Sequence, residues 1–455
     1  MLDTRRLSSD PDCKQLYHEE LCSRLANIQP SDDPNTDLDQ VFKVVQQCAE
    51  DVIGFRKPKN KGYHSNDPDV KALVAERHTL RHNLLSSNQA SDDTSLRYKI
   101  NSLGRMIRKK LKELQIAEAD QLALEIKSTD DSRQMFEAVR SLAKVKESKP
   151  IVLHNDAGYP IGTDKEKAAL LRDWYETKFS GDAPLEPFDG PPAPLDRPIT
   201  KFEVEIAAKR LKNGKANGPD NMPNELIKYG GLPLCDHYAR IINSSFEDNK
   251  FLHAVGECFI IPLEKPNKPV GEKNSLRPLT LCNCCRKLLS LITLRRIEDK
   301  VDAYTGPWQA AYKKKRSCGD LVWCHRMLIS LVKETEWSFH KMGLDMSSAF
   351  DTINRQTVLN LLDDAGCERD EIRLVRFLLS NTKIKVKVND SISAEFISTI
   401  GGPQGDSVSG LCFTLTLAGA CYHLRAVTSR PTPPISPNGM PEDQEDEYSD
   451  DLDLT

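Results

Sequence analysis

Asp345 is the residue whose setting most plainly suits chemistry. The run Lys341-Met342-Gly343-Leu344-Asp345 is a short apolar approach ending in a carboxylate, after which the pattern turns helical. A carboxylate at a strand end projects into the cleft where a sheet stops, a placement that suits a divalent metal ligand. Asp351 could cap or support the helix that follows. A second candidate is Gly401-Gly402-Pro403-Gln404-Gly405. Glycines on both sides of Gln404 would permit close approach to a base or sugar before the apolar helix Leu411–Leu424 starts. A third is a predicted hairpin, Ile260–Lys268 followed by Ser275–Thr280, with basic residues at its tip and Arg277 on the return strand. A guanidinium there suits bidentate contact with a triphosphate, although a surface hairpin with ordinary lysines fits the same pattern. A fourth, Lys212–Asp220, is glycine-rich with two lysines, and its backbone could approach either a phosphate or a neighbouring strand.

The chain that must position these residues has 455, enough for two or three domains with their own cores. A hydrophobic share of 39% beside 29% charged residues describes a soluble mixed protein. The thirteen cysteines are odd in number and scattered, which fits a reducing, intracellular compartment better than a disulfide framework. Nucleus and cytoplasm are not separated by this reading. Cys282, Cys284 and Cys285 have no second Cys/His pair at zinc-finger spacing and read as ordinary thiols. No apolar run is long enough to cross a bilayer and the first residues lack a signal peptide's core, so no membrane partner is expected.

Net charge of −4 understates the basic character, because eight acidic residues lie between Glu442 and Asp453. The stretch Arg56–Lys146 holds 19 Lys/Arg against 12 Asp/Glu, which permits a phosphate-backbone partner.

Along the chain, a helix is expected near Asp37–Val52. A longer one follows, with Leu96, Ile100, Leu103, Ile107, Leu111 and Leu114 forming one stripe at spacings of three and four. Arg105, Arg108, Lys109 and Lys112 lie off that stripe, as a solvated face or a nucleic-acid contact. Ile151–Ile161 reads as a small hairpin, and a helix carrying Trp174, Tyr175 and Phe179 follows. The proline-rich Ser180–Pro198 reads as a linker. Thr200 and Glu203 form a capping box ahead of a helix ending near Lys212. Mixed α/β pattern then continues to Tyr422, and Thr428–Thr455 reads by composition as a disordered tail.

In this order the motifs resemble the reverse transcriptases of non-LTR (LINE-type) retrotransposons. Gly343–Arg355 (GLDMSSAFDTINR) looks like the first palm motif of that family and Gly401–Ala420 like its second. Asn274–Ile297 is similar to its fingers pattern, and Lys212–Gly231 to the block upstream. Tyr448-Ser449-Asp450-Asp451 looks like the Tyr-Ala-Asp-Asp catalytic hairpin. The resemblance covers about Ile199 to the end; the segments before it look like the family's endonuclease-to-polymerase connector.

The resemblance implies an α+β fold, a right-hand polymerase with fingers and an antiparallel palm sheet packed by helices, behind a mainly helical connector. Expected divisions are a loosely structured 1–65, a helical 66–180 with a small hairpin, a linker 181–198, and fingers with partial palm over 199–455. The thumb is expected to be absent and the strand after Asp451 barely complete, leaving a weak or inactive fragment. Asp345, Asp450 and Asp451, helped by the carbonyl of Met346, would hold two Mg²⁺ ions, with Mn²⁺ as a substitute. Phe350 would lie under the incoming sugar. Arg277 and Lys265 would grip the triphosphate, and Gln404 and Gly405 would touch nucleotide or template. The implied partners are an RNA template, a DNA primer and deoxynucleoside triphosphates, with protein partners unspecified. Two other classes fit the composition: a non-catalytic nucleic-acid-binding remnant of a retrotransposon polyprotein, and an interaction protein using helices within 66–146.

Overall fold

The computed structural model describes residues 2–56, 67–86, 94–128, 151–155, 157–181, 185, 192–307, 309–335, 342–346, 348–427, 445–448 and 451–454. They fall into two compact units: Met1–Phe55 with Ile151–Thr455, and Arg56–Pro150. Boundaries at 65/66 and across 181–198 are therefore not where the chain divides. The physical reason is burial. Tyr17, Leu21, Val41 and Val45 sit in the same core as Leu226, Tyr238 and Ile242, and Leu195 of the proline-rich stretch joins them. The Tyr17 hydroxyl donates to the Leu226 carbonyl at 3.1 Å, tying the first segment to a residue two hundred positions away.

In the smaller unit, helices Pro68–Ser86 and Thr94–Ser128 pack on each other. Ile100, Leu103 and Ile107 are buried and Leu96, Leu111 and Leu114 half-buried, as the three-four spacing predicts. Arg105, Arg108, Lys109 and Lys112 are all exposed.

Eight strands occur among the described residues: β1 (Glu257–Glu264), β2 (Leu276–Cys282), β3 (Met342–Asp345), β4 (Thr382–Val388), β5 (Ser391–Ile392), β6 (Phe396–Ser398), β7 (Glu445–Tyr448) and β8 (Asp451–Leu454). The predicted hairpin is β1–β2, antiparallel from Cys258↔Cys282 to Glu264↔Leu276. On its other side β1 runs parallel to β4, which also carries β5 and β6. Burial alternates along β1, β2 and β4, the period of a sheet with one covered face. The cover is the Asp164–Lys178 helix, whose Tyr175, with the adjoining Phe179, packs on Ile260, Ile384, Val386 and Phe396. A capping box of Thr163 and Glu166 starts that helix, and the box read from Thr200 and Glu203 starts Lys201–Arg210.

The glycine-rich loop meets a strand end rather than open space. A Cβ at Gly218 would lie 2.4 Å from the Cys282 carbonyl oxygen, so only glycine lets the loop close there. Asp220 then accepts the Cys284 N–H at 2.7 Å and caps the long helix Cys284–Thr305. Cys282, Cys284 and Cys285 are buried free thiols, and burial raises Cys285 to about 12.

A second sheet has the order β3-β8-β7. The composition-based reading of 428–455 as disordered is thus corrected for Glu445–Tyr448 and Asp451–Leu454; residues 428–444 lie outside the described ones. Asp451-Leu452-Asp453-Leu454 alternates polar and apolar, a strand signal that an averaged acidic composition hides. β8 is paired along its whole length on both sides, to β3 and to β7. Among the described residues no helix is long and apolar enough to cross a membrane.

Candidate active site

The sheet register brings Asp345, the last residue of β3, opposite Asp451, the first of β8; Asp451 is in turn opposite Tyr448 of β7. Residues directly opposite in an antiparallel pair share one face of the sheet. Asp450, between the two strands, lies outside the described residues. Met346, the next residue after β3, is half-buried against the helical core. Ser348 then takes a left-handed φ of 58°, which turns the chain into a short 3-10 turn, Ala349–Asp351.

Asp351 does not cap the next helix. Asn354 does, accepting the Thr357 N–H at 2.9 Å. Asp351 instead pairs with Lys178, Oδ2 to Nζ at 2.6 Å, with its side chain only 12% exposed. Phe350 is half-buried between two rings, Phe413 at 4.7 Å and Tyr312 at 6.0 Å between centroids. The Tyr312 ring is admitted by Gly410, where a Cβ would stand 2.5 Å from it.

The Gln404 loop is zipped onto this segment. Gly401 donates to the Ile353 carbonyl at 2.8 Å and Gly402 to that of Phe350 at 3.1 Å. Gly401 has a φ of +71°, and a Cβ there would lie 2.6 Å from the Asp351 carbonyl oxygen. Its glycine thus serves backbone-to-backbone approach. Gln404, half-buried, accepts the Thr280 N–H of β2 at 2.9 Å through its own carbonyl; Gly405 is exposed, with φ +114°.

Arg277 is exposed on β2 opposite Leu263. Lys265, at the hairpin turn, donates to the Asn274 carbonyl at 3.0 Å. Burial first, then the neighbouring cations Lys178, Arg277 and Lys268, lower its pKa from the ordinary lysine range. Its tip borders a cavity of about 320 Å³ shared with Lys268, Glu264 and Glu272. Arg277, Lys265, Asp351 and the Gln404 loop thus belong to one region, held together by β2.

Two buried arginines hold the loop and were not singled out by sequence. Arg355 gives its guanidinium to the carbonyls of Leu379, Ser398, Ile400 and Gly401 and to the Ser398 hydroxyl. Arg286 pairs with Asp406 at 2.8 Å, and Ser290 donates to the same carboxylate. Burial alone would lower Arg286, but Asp406 outweighs it and holds the pKa above the ordinary value. The available signal was an arginine inside the apolar helix CCRKLLSLITL. Among the residues whose side chains are described, no group of three His, Cys, Asp or Glu is placed to hold a metal.

Residues 263–451 match the family model described as Reverse transcriptase (RNA-dependent DNA polymerase). The Transposon TX1 uncharacterized 149 kDa protein of Xenopus laevis is 23% identical over 273 residues, covering 56% of this chain and 21% of that protein. The Probable RNA-directed DNA polymerase from transposon BS of Drosophila melanogaster is 22% identical over 367 residues, covering 77% of this chain and 40% of that protein. The RNA-directed DNA polymerase from mobile element jockey of Drosophila funebris is 21% identical over 410 residues, covering 86% and 44%. The chain therefore spans less than half the length of these relatives. Its segment 263–451, which contains β3, the Gln404 loop and Asp451, is a reverse transcriptase domain of the kind carried by non-LTR retrotransposons.

Proposed function

We propose that the chain acts as the fingers and palm of an RNA-directed DNA polymerase that joins deoxynucleoside triphosphates to a primer 3′-hydroxyl on an RNA template. The observation that carries this reading is the register of Asp345 against Asp451 inside the family-matched segment. In this reading 199–455 is fingers and palm, and the residues before it are connector.

Asp345, Asp450 and Asp451, with the Met346 carbonyl, would hold two Mg²⁺ ions, or Mn²⁺ in their place; the donor set is all oxygen, as hard cations require. When bound, such ions supply activation of the primer hydroxyl and charge stabilisation at the departing pyrophosphate. The protein's own work is placement. Arg277 and Lys265 offer charge-assisted hydrogen bonds to the triphosphate. Phe350, wedged between Tyr312 and Phe413, is a rigid floor for the sugar. Gln404 and Gly405 border the nucleotide or template, with their backbone fixed by Thr280.

The test is single-nucleotide addition by the purified 455-residue chain on an RNA template with a DNA primer. Addition that requires Mg²⁺ and is lost in Asp345→Ala supports the reading. A chain that binds the primer-template but adds no nucleotide with either Mg²⁺ or Mn²⁺ would favour the second reading, a non-catalytic nucleic-acid-binding protein. That alternative draws on the exposed row Arg105, Arg108, Lys109 and Lys112 and predicts binding that weakens steeply with salt.

A further inference from the structure

Resting on the polymerase reading, we propose that Lys178 is a further triphosphate-binding residue, and that Asp351 is the carboxylate that holds its ammonium group until the polyanion arrives.

Lys178 comes from the helix Asp164–Lys178, ahead of the family-matched segment. Its ammonium lies 2.6 Å from Asp351 and 5.3 Å over the Trp174 ring, with the side chain 20% exposed. The end of its helix is fixed to the Gln404 loop's approach. The Phe179 carbonyl accepts the N–H groups of Thr399 at 2.9 Å and Ile400 at 3.3 Å, and Gly181 donates to the Thr399 hydroxyl at 2.8 Å. Gly401 and Gly402 then bond back to Ile353 and Phe350. The helix end, the loop and the segment after Asp345 thereby form one clamp.

Asp351 borders the same small cavity as Pro278, the neighbour of Arg277, and Gln404. Lys265 feels the charges of Lys178, Arg277, Lys268 and Asp351 together. Four cations thus share a neighbourhood with Asp351, the carboxylate paired to Lys178, while Glu264 and Glu272 line the cavity beside Lys265 and Lys268. Like charges gather at a cost that a bound polyanion removes. A merely structural ion pair predicts something different: losing either partner should then have the same effect.

The experiment measures binding of inorganic tripolyphosphate to the full 455-residue chain without metal or nucleic acid. Calorimetry gives the affinity, and fluorescence of Trp174, read against Trp174→Phe, gives the location. Lys178→Met should weaken binding about tenfold, the loss of one charge-assisted contact. Lys178→Arg should stay within about twofold of wild type. Asp351→Asn removes charge without volume and should tighten binding, by roughly threefold or more on the same arithmetic. Shifts of Lys178→Met and Asp351→Asn in the same direction, or no shift in either, overturn the proposal. Should Lys178→Met not fold, the sign for Asp351→Asn decides alone. Tripolyphosphate effects as stated, in a chain that never adds a nucleotide, sink the polymerase reading and leave this site. Template-directed addition with an unchanged KM for the nucleotide in Lys178→Met sinks this assignment and leaves the polymerase.

Discussion

Asp345 and Asp451 stand opposite each other across the β3–β8 pair, the end of one strand against the start of the other. Like charges directly opposite in a sheet are destabilising, and in the proposed function this pair is the one a cation would bridge. Neutralising one partner should therefore have opposite effects on stability and on chemistry. In metal-free buffer, Asp451→Asn should raise stability by about 0.2–1 kcal/mol. The same change should lower Mg²⁺-dependent nucleotide addition by on the order of a thousandfold, since metal charge stabilisation is worth several kcal/mol. Thermal melts with a chelator and single-turnover extension measure the two arms. A variant less stable and equally active would contradict both.

Arg355 is 3% exposed and makes hydrogen bonds to four backbone carbonyls. Burial, and then the charge of Arg286, lower its pKa to about 9, so the guanidinium is charged at neutral pH. Arg355→Met would remove the charged donor from those carbonyls, leaving Leu379 and Ile400 only the hydroxyls of Thr382 and Ser398, and should cost about 3–5 kcal/mol. Arg355→Lys, with three donors instead of five, should recover part of this. Urea unfolding of the three proteins gives the values.

The Arg286–Asp406 pair should behave as a unit. Asp406→Asn leaves a fully buried guanidinium without its counter-charge and should cost about 3–5 kcal/mol. Arg286→Met combined with Asp406→Leu should cost less than the single change, because no stranded charge remains. A double-mutant cycle in denaturant measures the coupling. Strict additivity would show that the two side chains do not act together.

Glu203 offers an acid-side test. Burial alone would raise its pKa, but the bidentate contact from Arg296, at 2.8 and 2.9 Å, outweighs burial and holds it below the usual value of 4.5. A carboxylate depressed in the fold stabilises it fully above the unfolded value, and that contribution fades as pH falls through the folded one. Wild-type melting temperature should therefore drop as pH goes from about 5 to below 4, and Glu203→Gln should show a shallower drop. Equal slopes would show that Glu203 does not carry that dependence.

Local signals in the sequence proved dependable where structure is local. The three-four stripe located Thr94–Ser128, the capping boxes located helix starts, and alternation with a basic tip located the β1–β2 hairpin. Asp345 at a strand end was legible for the same reason. What could not be read were partners far apart in the chain. Lys178 with Asp351, Arg286 with Asp406 and β1 with β4 are each separated by more than a hundred residues, and nothing in either local pattern names the other. Glycines were only half legible in a related way. Gly401 read as room for a base or sugar and Gly218 as room for either a phosphate or a neighbouring strand; in the fold both make room for another stretch of this backbone. Proline content suggested a boundary at 181–198 because composition does not report that Leu195 is buried.

The middle place of β8 has a consequence for how the chain matures. β3 leaves the ribosome about a hundred residues before its partner, which at 5–20 residues per second is a wait of roughly 5–20 s. For that interval Met342–Asp345 is a strand lacking the neighbour it will have on β8, available to any other extended segment nearby. Synthesis rate thus joins sequence as a determinant of yield. Slowing translation between codons 345 and 451 should increase the fraction of chains that mispair, while a peptide copy of 445–455 supplied during synthesis would compete for the same edge.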